Sequence, residues 1–475
     1  MPLPSIPSGN VASATASTGF NVANSCRFND ADSAILTRTL GTPTNVDKWT
    51  FSAWIKWEGF GGDTKIFSAY VDGSNFGHIQ FTGYTLSYNG TPSAGTLTTS
   101  RVFRDVSAWY NIQVIYDSGN STEGDRIQIW VNGVRETSFS TETYPSQNQD
   151  GVFNSGQPHG VGGRADSSQF WGGYMAEVVF CDGQAYDASN FGEFDEDSPT
   201  IWKPKDVSGL TFGNNGFYLD FEASDNLGND ANGGTDWSEA NLAAADQASD
   251  TPTNNFCVMN PLDNFKNAAT FSEGNCKLVT ASSPYFYNTG TFGLSNGKWY
   301  YECKVASSAP SDYNIIGIAG EIGAGTAGDA ELGGTGTYGY GYHGNDGKYI
   351  SDVPTGGGAA YAYGATYSTS TIGVYIDLDN NKLYFTKDGT LQNSGTGISI
   401  GTSPPHGVFF PAGGEQSTGG SATLEFNFGG CPAFAISSGN TDGDYGNFEY
   451  STTITGDGAS KTFKAICTKN LAEYG

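Results

Sequence analysis

An all-β fold, two β-sandwiches joined by an irregular connector, is what the sequence predicts, and three observations carry that expectation. Short runs in which aromatic and β-branched residues alternate with polar ones recur along the chain, the pattern of half-buried strands. Glycine-rich turns separate them, and 67 glycines with 14% aromatic residues against 3 methionines suit tight reversals and pleated surfaces rather than long helices. A chain of 475 residues exceeds what a single core organises, roughly 250–300 residues, so two cores are expected.

In chain order, residues 1–24 are small and rich in Pro, Ser and Ala, with nothing to anchor a core, and are expected to form an arm. The strongest strand of the first half is Trp49-Thr50-Phe51-Ser52-Ala53-Trp54-Ile55-Lys56-Trp57, whose odd positions present Trp, Phe, Ala, Ile and Trp to one face. Tyr110–Tyr116 is a further strand, and Arg126–Arg135 reads as a hairpin reversing at Asn132-Gly133, a strong two-residue turn signal. Val161–Asp166 and Phe170–Phe180 close the set. These motifs, in this order, resemble the laminin-G-like, concanavalin-A-like jelly roll over residues 25–190. That family commonly has an acidic residue before Glu-Val in its last strand. Here Ala176 stands in that place, so no ligand or metal role is carried over to it.

Residues 191–262 read as a connector: a capped turn over Asp187–Glu193, a short strand around Gly216–Phe221, and polar stretches between. Phe191-Gly192-Glu193 through Pro204, and Asp250–Phe256, resemble a connector of virion proteins of tailed marine bacteriophages, where it also follows a laminin-G-like sandwich. Residues 263–430 then give Gly297-Lys298-Trp299-Tyr300-Tyr301-Glu302, Ile315-Ile316-Gly317-Ile318-Ala319 and Gly373-Val374-Tyr375-Ile376-Asp377-Leu378-Asp379. A Tyr384-Phe385-Thr386-Lys387-Asp388-Gly389 hairpin and Leu424–Gly429 follow. This ordered set resembles the SPRY domain, which implies a second jelly-roll-like sandwich that binds ligands through rim loops and has no catalytic residues. Residues 431–475 form a C-terminal extension whose Phe463–Leu471 resembles a segment leading to further modules in such phage proteins.

Charge and cysteine usage narrow the functional classes. Lys and Arg number 22 against 49 Asp and Glu, a net charge of -27, which repels phosphate backbones and anionic membrane surfaces, so neither nucleic acid nor membrane insertion is expected. Cys26, Cys181, Cys257, Cys276, Cys303, Cys431 and Cys467 show no Cys-x-x-Cys pair, and an odd number cannot all pair within one chain. Buried free thiols and folding in a reducing compartment follow. The first residues lack the basic-then-apolar pattern of a secretory signal, and no apolar run approaches the roughly 18 residues of a membrane span.

For chemistry, His78, His159, His343 and His406 lack metal-ligand spacing, and no Gly-x-Ser-x-Gly is present on a strand-to-helix turn, where a hydrolase nucleophile would sit. The acidic run Glu193–Asp197 is a candidate for the two carboxylates of a glycosidase, but it lies beside Gly192 and Ser198-Pro199 without strand alternation and reads as solvated loop. Catalytic residues: none are expected. Calcium is the ion that sandwich rims hold with Asp side chains and carbonyls, and Asp72, Asp125 and Asp166 sit in turns. The alternative for each is an Asp capping its own turn.

The best ligand-site candidate is Tyr338-Gly339-Tyr340-Gly341-Tyr342-His343-Gly344-Asn345-Asp346, with Tyr361 and Tyr363. Alternation places three tyrosines on one face, and each ring offers a flat apolar surface plus a hydroxyl suited to sugars. The alternative is that these rings pack on the opposing sheet, with Asn345 and Asp346 exposed. Taken together, the sequence leads to the expectation of a phage virion appendage, a tail fibre or adhesion protein exposed on the particle, that recognises a host-surface glycan or protein without covalent chemistry. It would contact other phage virion proteins and oligomerise, a trimer by analogy. A capsid decoration and a jelly-roll polysaccharide-degrading enzyme are the alternatives.

Overall fold

The computed structural model describes residues 19–59, 62–263, 269–281, 286–320, 331–352, 358–416 and 419–475; the expected arm up to residue 18 lies outside them. The chain divides after Thr253 into two compact units. Both are built of β-sheet, as the alternation predicts, and the α-helix Thr468–Tyr474 is the one α-helix among the described residues.

In the first unit, one sheet orders Val134–Arg135, Ile127–Val131, Tyr110–Asp117, Lys48–Trp57, Gly173–Asp182, Ser25–Phe28 and Gln247–Ala248, with Phe217–Leu219 also paired to Gly173–Asp182. The other orders Phe139–Thr143, Thr96–Thr99, Thr85–Thr91, Asn75–Thr82, Asp63–Asp72, Pro158–Val161, Ile35–Thr39 and Ser238–Ala240. Trp49, Phe51, Ala53, Ile55 and Trp57 all enter the core between them. There Phe51 stacks on Phe67 with centroids 4.9 Å apart, and Trp57 on Phe81 at 4.7 Å. The Asn132-Gly133 reversal has both residues at positive φ, 48° and 73°, the geometry that matches the twist of the flanking strands.

The stretch expected to be an irregular connector supplies structure to this unit. Three of its short strands join the two sheets, and Phe191, Val207 and Phe212 pack with Val179 and Cys181 in a separate apolar cluster. Its last polar tract is clamped at Asp250: the Lys56 ammonium lies 2.7 Å from one carboxylate oxygen, with both side chains nearly inaccessible at 1% and 2%, and Trp109 Nε1 donates to the other at 3.0 Å. Strands of two or three residues have too few positions to show alternation, so they read as loop in the sequence.

Glu177 marks an irregularity in the last long strand, where pairing with Lys48–Trp57 shifts register between Ala176 and Val179 and φ is 49°. Its carboxyl accepts from Tyr218 Oη at 2.7 Å, and burial pushes it up to about 8. A buried acid whose folded pKa lies above its unfolded value stabilises fully at low pH, and that contribution is lost as pH rises toward 8. Glu177→Gln keeps an acceptor for Tyr218 and removes the titration. The variant is expected to gain on the order of 2 kcal/mol over the parent at pH 8.5 and to match it at pH 5, read from paired urea melts. The paired difference is needed because burial also lowers His78 and His159, to about 3 and about 4, which removes stability as pH falls below the free-imidazole range. Equal stability differences at both pH values would contradict the assignment.

In the second unit, one sheet orders Thr270–Ser272, Lys277–Val279, Thr423–Asn427, Lys298–Ser307, Thr371–Asp377, Lys382–Lys387 and Thr390–Leu391. Ile398–Ser399 pairs on Lys382–Lys387, and Lys464–Ala465 runs parallel to Lys298–Ser307. The facing sheet orders Phe286–Thr289, Phe410–Glu415, Asn314–Ala319, Gly339–His343, Lys348–Ser351 and Ala359–Ala362. Trp299, Tyr301, Cys303 and Val305 point into the core, so the alternate residues Tyr300 and Glu302 face outward.

That outward face is covered by the C-terminal extension. Tyr300, Tyr375 and Tyr384 pack with Phe448, Ile454, Phe463 and Ala465, with Tyr300 and Phe448 ring centroids 4.8 Å apart and Tyr375 and Phe463 5.2 Å apart. Glu302, fully buried, accepts from Glu449 N at 3.0 Å and Tyr450 N at 2.8 Å, and from Tyr300 Oη at 2.9 Å and Asn427 Nδ2 at 3.0 Å. One carboxyl thus holds two backbone amides of the extension onto the central strand, satisfying donors that burial would otherwise leave unpaired.

Candidate functional site

The second unit's facing sheet continues beyond Gly339–His343 through Lys348–Ser351 to an edge strand, Ala359–Ala362. Cross-strand register aligns Tyr342 with Tyr349 and Tyr349 with Tyr361, so these rings share the inward face. At this side of the sandwich the opposing wall is the segment from Asn393 to Ser399, which ends in the strand Ile398–Ser399. Between the two lies a cavity of about 480 Å³, with Tyr340, Tyr349, Tyr361 and Tyr363 on one side and Asn393 and Ser399 on the other.

The rings are held in fixed geometry. Tyr349 and Tyr361 stack with centroids 4.9 Å apart and planes 22° apart, while Tyr363 stands perpendicular to Tyr349 at 6.0 Å. Tyr363 Oη accepts from Phe385 N at 3.1 Å and Tyr340 Oη from Gly401 N at 2.8 Å, and Tyr340 also hydrogen-bonds with the Ser351 side chain. Among the described residues, the Tyr349 and Tyr361 hydroxyls have no hydrogen-bond partner. Ser399 Oγ accepts from Lys382 Nζ at 3.1 Å. Burial pushes the Tyr340 phenol up to about 12 and raises Tyr349 and Tyr363 as well, so these hydroxyls stay protonated donors at neutral pH. Among the described residues, no Asp, Glu, Lys, Arg or His lines the cavity.

Of the residues predicted from sequence, the structure brings Tyr340, Tyr361 and Tyr363 together here. Tyr342 is fully buried, donates its hydroxyl to Ala365 O, and packs on Tyr367 and Phe385 inside the core. Tyr338 is half-buried beside Phe409, 6.1 Å away. In the following turn, Asn345 Nδ2 donates to Ser311 O at 2.7 Å, while Asp346 accepts from Lys348 N at 3.1 Å and pairs with Lys348 Nζ at 2.7 Å. Tyr349, Asn393 and Ser399 were not singled out from sequence. Tyr349 does have a signal there, the Lys348-Tyr349-Ile350 alternation; Asn393 and Ser399 have none.

The three rim aspartates occupy separate turns, and no group of three metal-ligating side chains occurs among the described residues. Asp72 accepts from Ser74 N at 2.7 Å and from Asn75 Nδ2, and the Ser74 amide bond first of all lowers its pKa. Asp125 pairs with Arg135 at 2.8 Å. Asp166 takes both guanidinium nitrogens of Arg164 at 2.8 and 2.7 Å, which holds its carboxyl below the usual range. Glu193 is exposed on the two-stranded ribbon Gly192–Phe194 and Trp202–Pro204, and Asp195 accepts from Asp197 N and Ser198 N in the loop just beyond it.

An all-β protein of β-sandwich units is the class that this architecture defines. Residues 29–186 match the family model described as the concanavalin A-like lectin/glucanases superfamily, so the chain contains a laminin-G/concanavalin-A-like domain. The chain is similar to Ran-binding protein 9 of Danio rerio, 31% identical over 137 residues, covering 29% of this chain and 20% of that protein. Ran-binding protein 9 of Homo sapiens is also 31% identical over 137 residues, 17% of its length. The chain therefore spans about a fifth of the curated relatives it matches. Similar solved structures include the SPRY domain of human HERC1, with TM-score 0.27, 11% identity, and coverage of 33% of this chain and 91% of that one. Another is a putative carbohydrate binding protein from Bacteroides ovatus, with TM-score 0.31, 12% identity, and coverage of 46% and 58%.

Proposed function

We propose that this protein is a non-covalent recognition protein, a tail fibre or adhesion component of a tailed-phage virion, and that the tyrosine cavity of its second unit contacts a host-surface glycan or protein. The observation that carries the reading is the cavity itself: fixed aromatic rings and spare hydroxyl donors at the side of a rigid sandwich, with no acid or base to perform a reaction. The lectin family match over residues 29–186 and relatives named as Ran-binding proteins support a binding role. The phage assignment rests on the resemblance of the connector to that of virion proteins. Display on the particle, contact with other virion proteins and a cyclic oligomer belong to the same proposal, as does the lack of catalysis.

Fluorescently labelled protein is expected to bind intact host cells, and Tyr361→Ala to weaken that binding at least tenfold with no change in melting temperature, because Tyr361 is an exposed ring at 36%. Retained binding by Tyr361→Ala would move recognition away from this cavity. Immunogold labelling of particles separates tail from capsid placement. Release of reducing ends from host envelope, abolished by substituting Glu193 and Asp195, would favour an enzyme instead.

A further inference from the structure

The ligand class that fits this cavity can be narrowed from its chemistry, an inference that rests on the recognition reading above. Three features of the lining bear on it. Flat faces are provided by the stacked Tyr349 and Tyr361 pair, and Tyr361 is the more exposed. Hydrogen-bonding capacity is supplied almost wholly by neutral hydroxyl and amide groups: four phenols, Ser399 and Asn393. Among the described residues the lining carries no charged side chain, in a chain whose net charge is -27.

Each feature excludes something. An acidic sugar, sulfate or phosphate needs a cation to offset the desolvation of its charge, and neither Lys nor Arg lines the cavity. The nearby lysines have other partners: Lys382 donates to Ser399 and lies 4.0 Å from Asp457, and Lys348 is paired with Asp346. A saccharide held through calcium needs several carboxylate or carbonyl oxygens around the ion, and the lining holds no carboxylate. A purely apolar side chain would leave the Tyr349 and Tyr361 hydroxyls buried without partners, which costs about 1–3 kcal/mol for each group so stranded. A group with one apolar face and a rim of hydroxyls meets all three conditions.

We infer that the cavity between the Ala359–Ala362 edge and the Asn393–Ser399 wall binds a neutral pyranose unit directly, without a metal ion. The sugar's C–H face lies on the Tyr361 ring, and its hydroxyls exchange hydrogen bonds with the phenols, Asn393 and Ser399.

Saturation-transfer NMR on the full chain tests this, with methyl glycosides of glucose, galactose, mannose and N-acetylglucosamine as probes against methyl glucuronide and N-acetylneuraminate. At least one neutral glycoside is expected to show transfer that is unchanged by EDTA. It should fall at least tenfold in Tyr361→Ala and in Tyr349→Phe, where only the hydroxyl is lost, and stay at the parent level in Tyr445→Ala, an exposed tyrosine in the C-terminal extension. Preference for the acidic sugars, loss of signal in EDTA, or equal signal in Tyr361→Ala would overturn the inference, as would silence from every neutral probe. The cell-binding experiment keeps the two ideas apart. If Tyr361→Ala abolishes cell binding while no neutral glycoside binds, recognition by this cavity stands and the sugar class fails. If cell binding is untouched, the recognition reading itself fails.

Discussion

A chain ending at Gly430 is expected to be recovered mainly as aggregate. Without residues 431–475, the outward stripe of Tyr300, Tyr375 and Tyr384, now fully or almost fully buried, faces water, and each large apolar side chain so exposed forfeits about 1.5–3 kcal/mol. Glu302, on the same face, simultaneously loses the Glu449 and Tyr450 amides that it accepts from. A contiguous aromatic patch on a sheet face is also a template for association. Size-exclusion chromatography and sedimentation check this, and a monomeric truncated protein that melts with the parent would show the extension to be dispensable. A milder variant isolates the anchor: Glu302→Ala in the full chain should remain soluble but expose the extension to limited proteolysis.

Asp250→Ala is expected to cost the first unit about 3–5 kcal/mol. The substitution leaves the Lys56 ammonium, 1% exposed, without the carboxylate 2.7 Å away, and takes from Trp109 its indole acceptor. Because Asp250 lies 194 positions from Lys56 in the chain, the loss also unpins the end of the stretch that closes the sandwich. Urea unfolding followed by tryptophan fluorescence reads the effect. Replacing Lys56 by Met together with Asp250→Ala should recover much of the stability, since removing both charges is far less costly than stranding one. If the single variant is as stable as the parent, the clamp has no energetic role.

Much of the fold was legible because its long strands obey a strict alternation. Trp49 to Trp57 is the clearest case: the odd positions form the core as the pattern requires. Its even positions, Trp54 and Lys56 among them, are buried too, which alternation alone does not indicate. What covers them comes from far along the chain, in short segments whose local pattern says nothing about where they dock. The same limit explains the site. Alternation correctly put Tyr340 and Tyr342 on one face, but whether a ring on that face is core or cavity wall depends on how far the opposing sheet extends. Tyr342 lies opposite Phe385, whereas Tyr361 lies on the edge strand. Asn393 and Ser399 enter from a turn and a two-residue strand, where no periodicity exists to read.

All seven cysteines are buried, and burial pushes Cys181 and Cys467 up to about 12, far from the reactive thiolate. The surface is in effect chemically blank toward maleimides. A single cysteine introduced at Val134, half exposed at 51% in the hairpin beyond Asn132-Gly133, would be the only fast-reacting position. Gold or a fluorophore could then be attached to one known point without first stripping the native thiols from the interior.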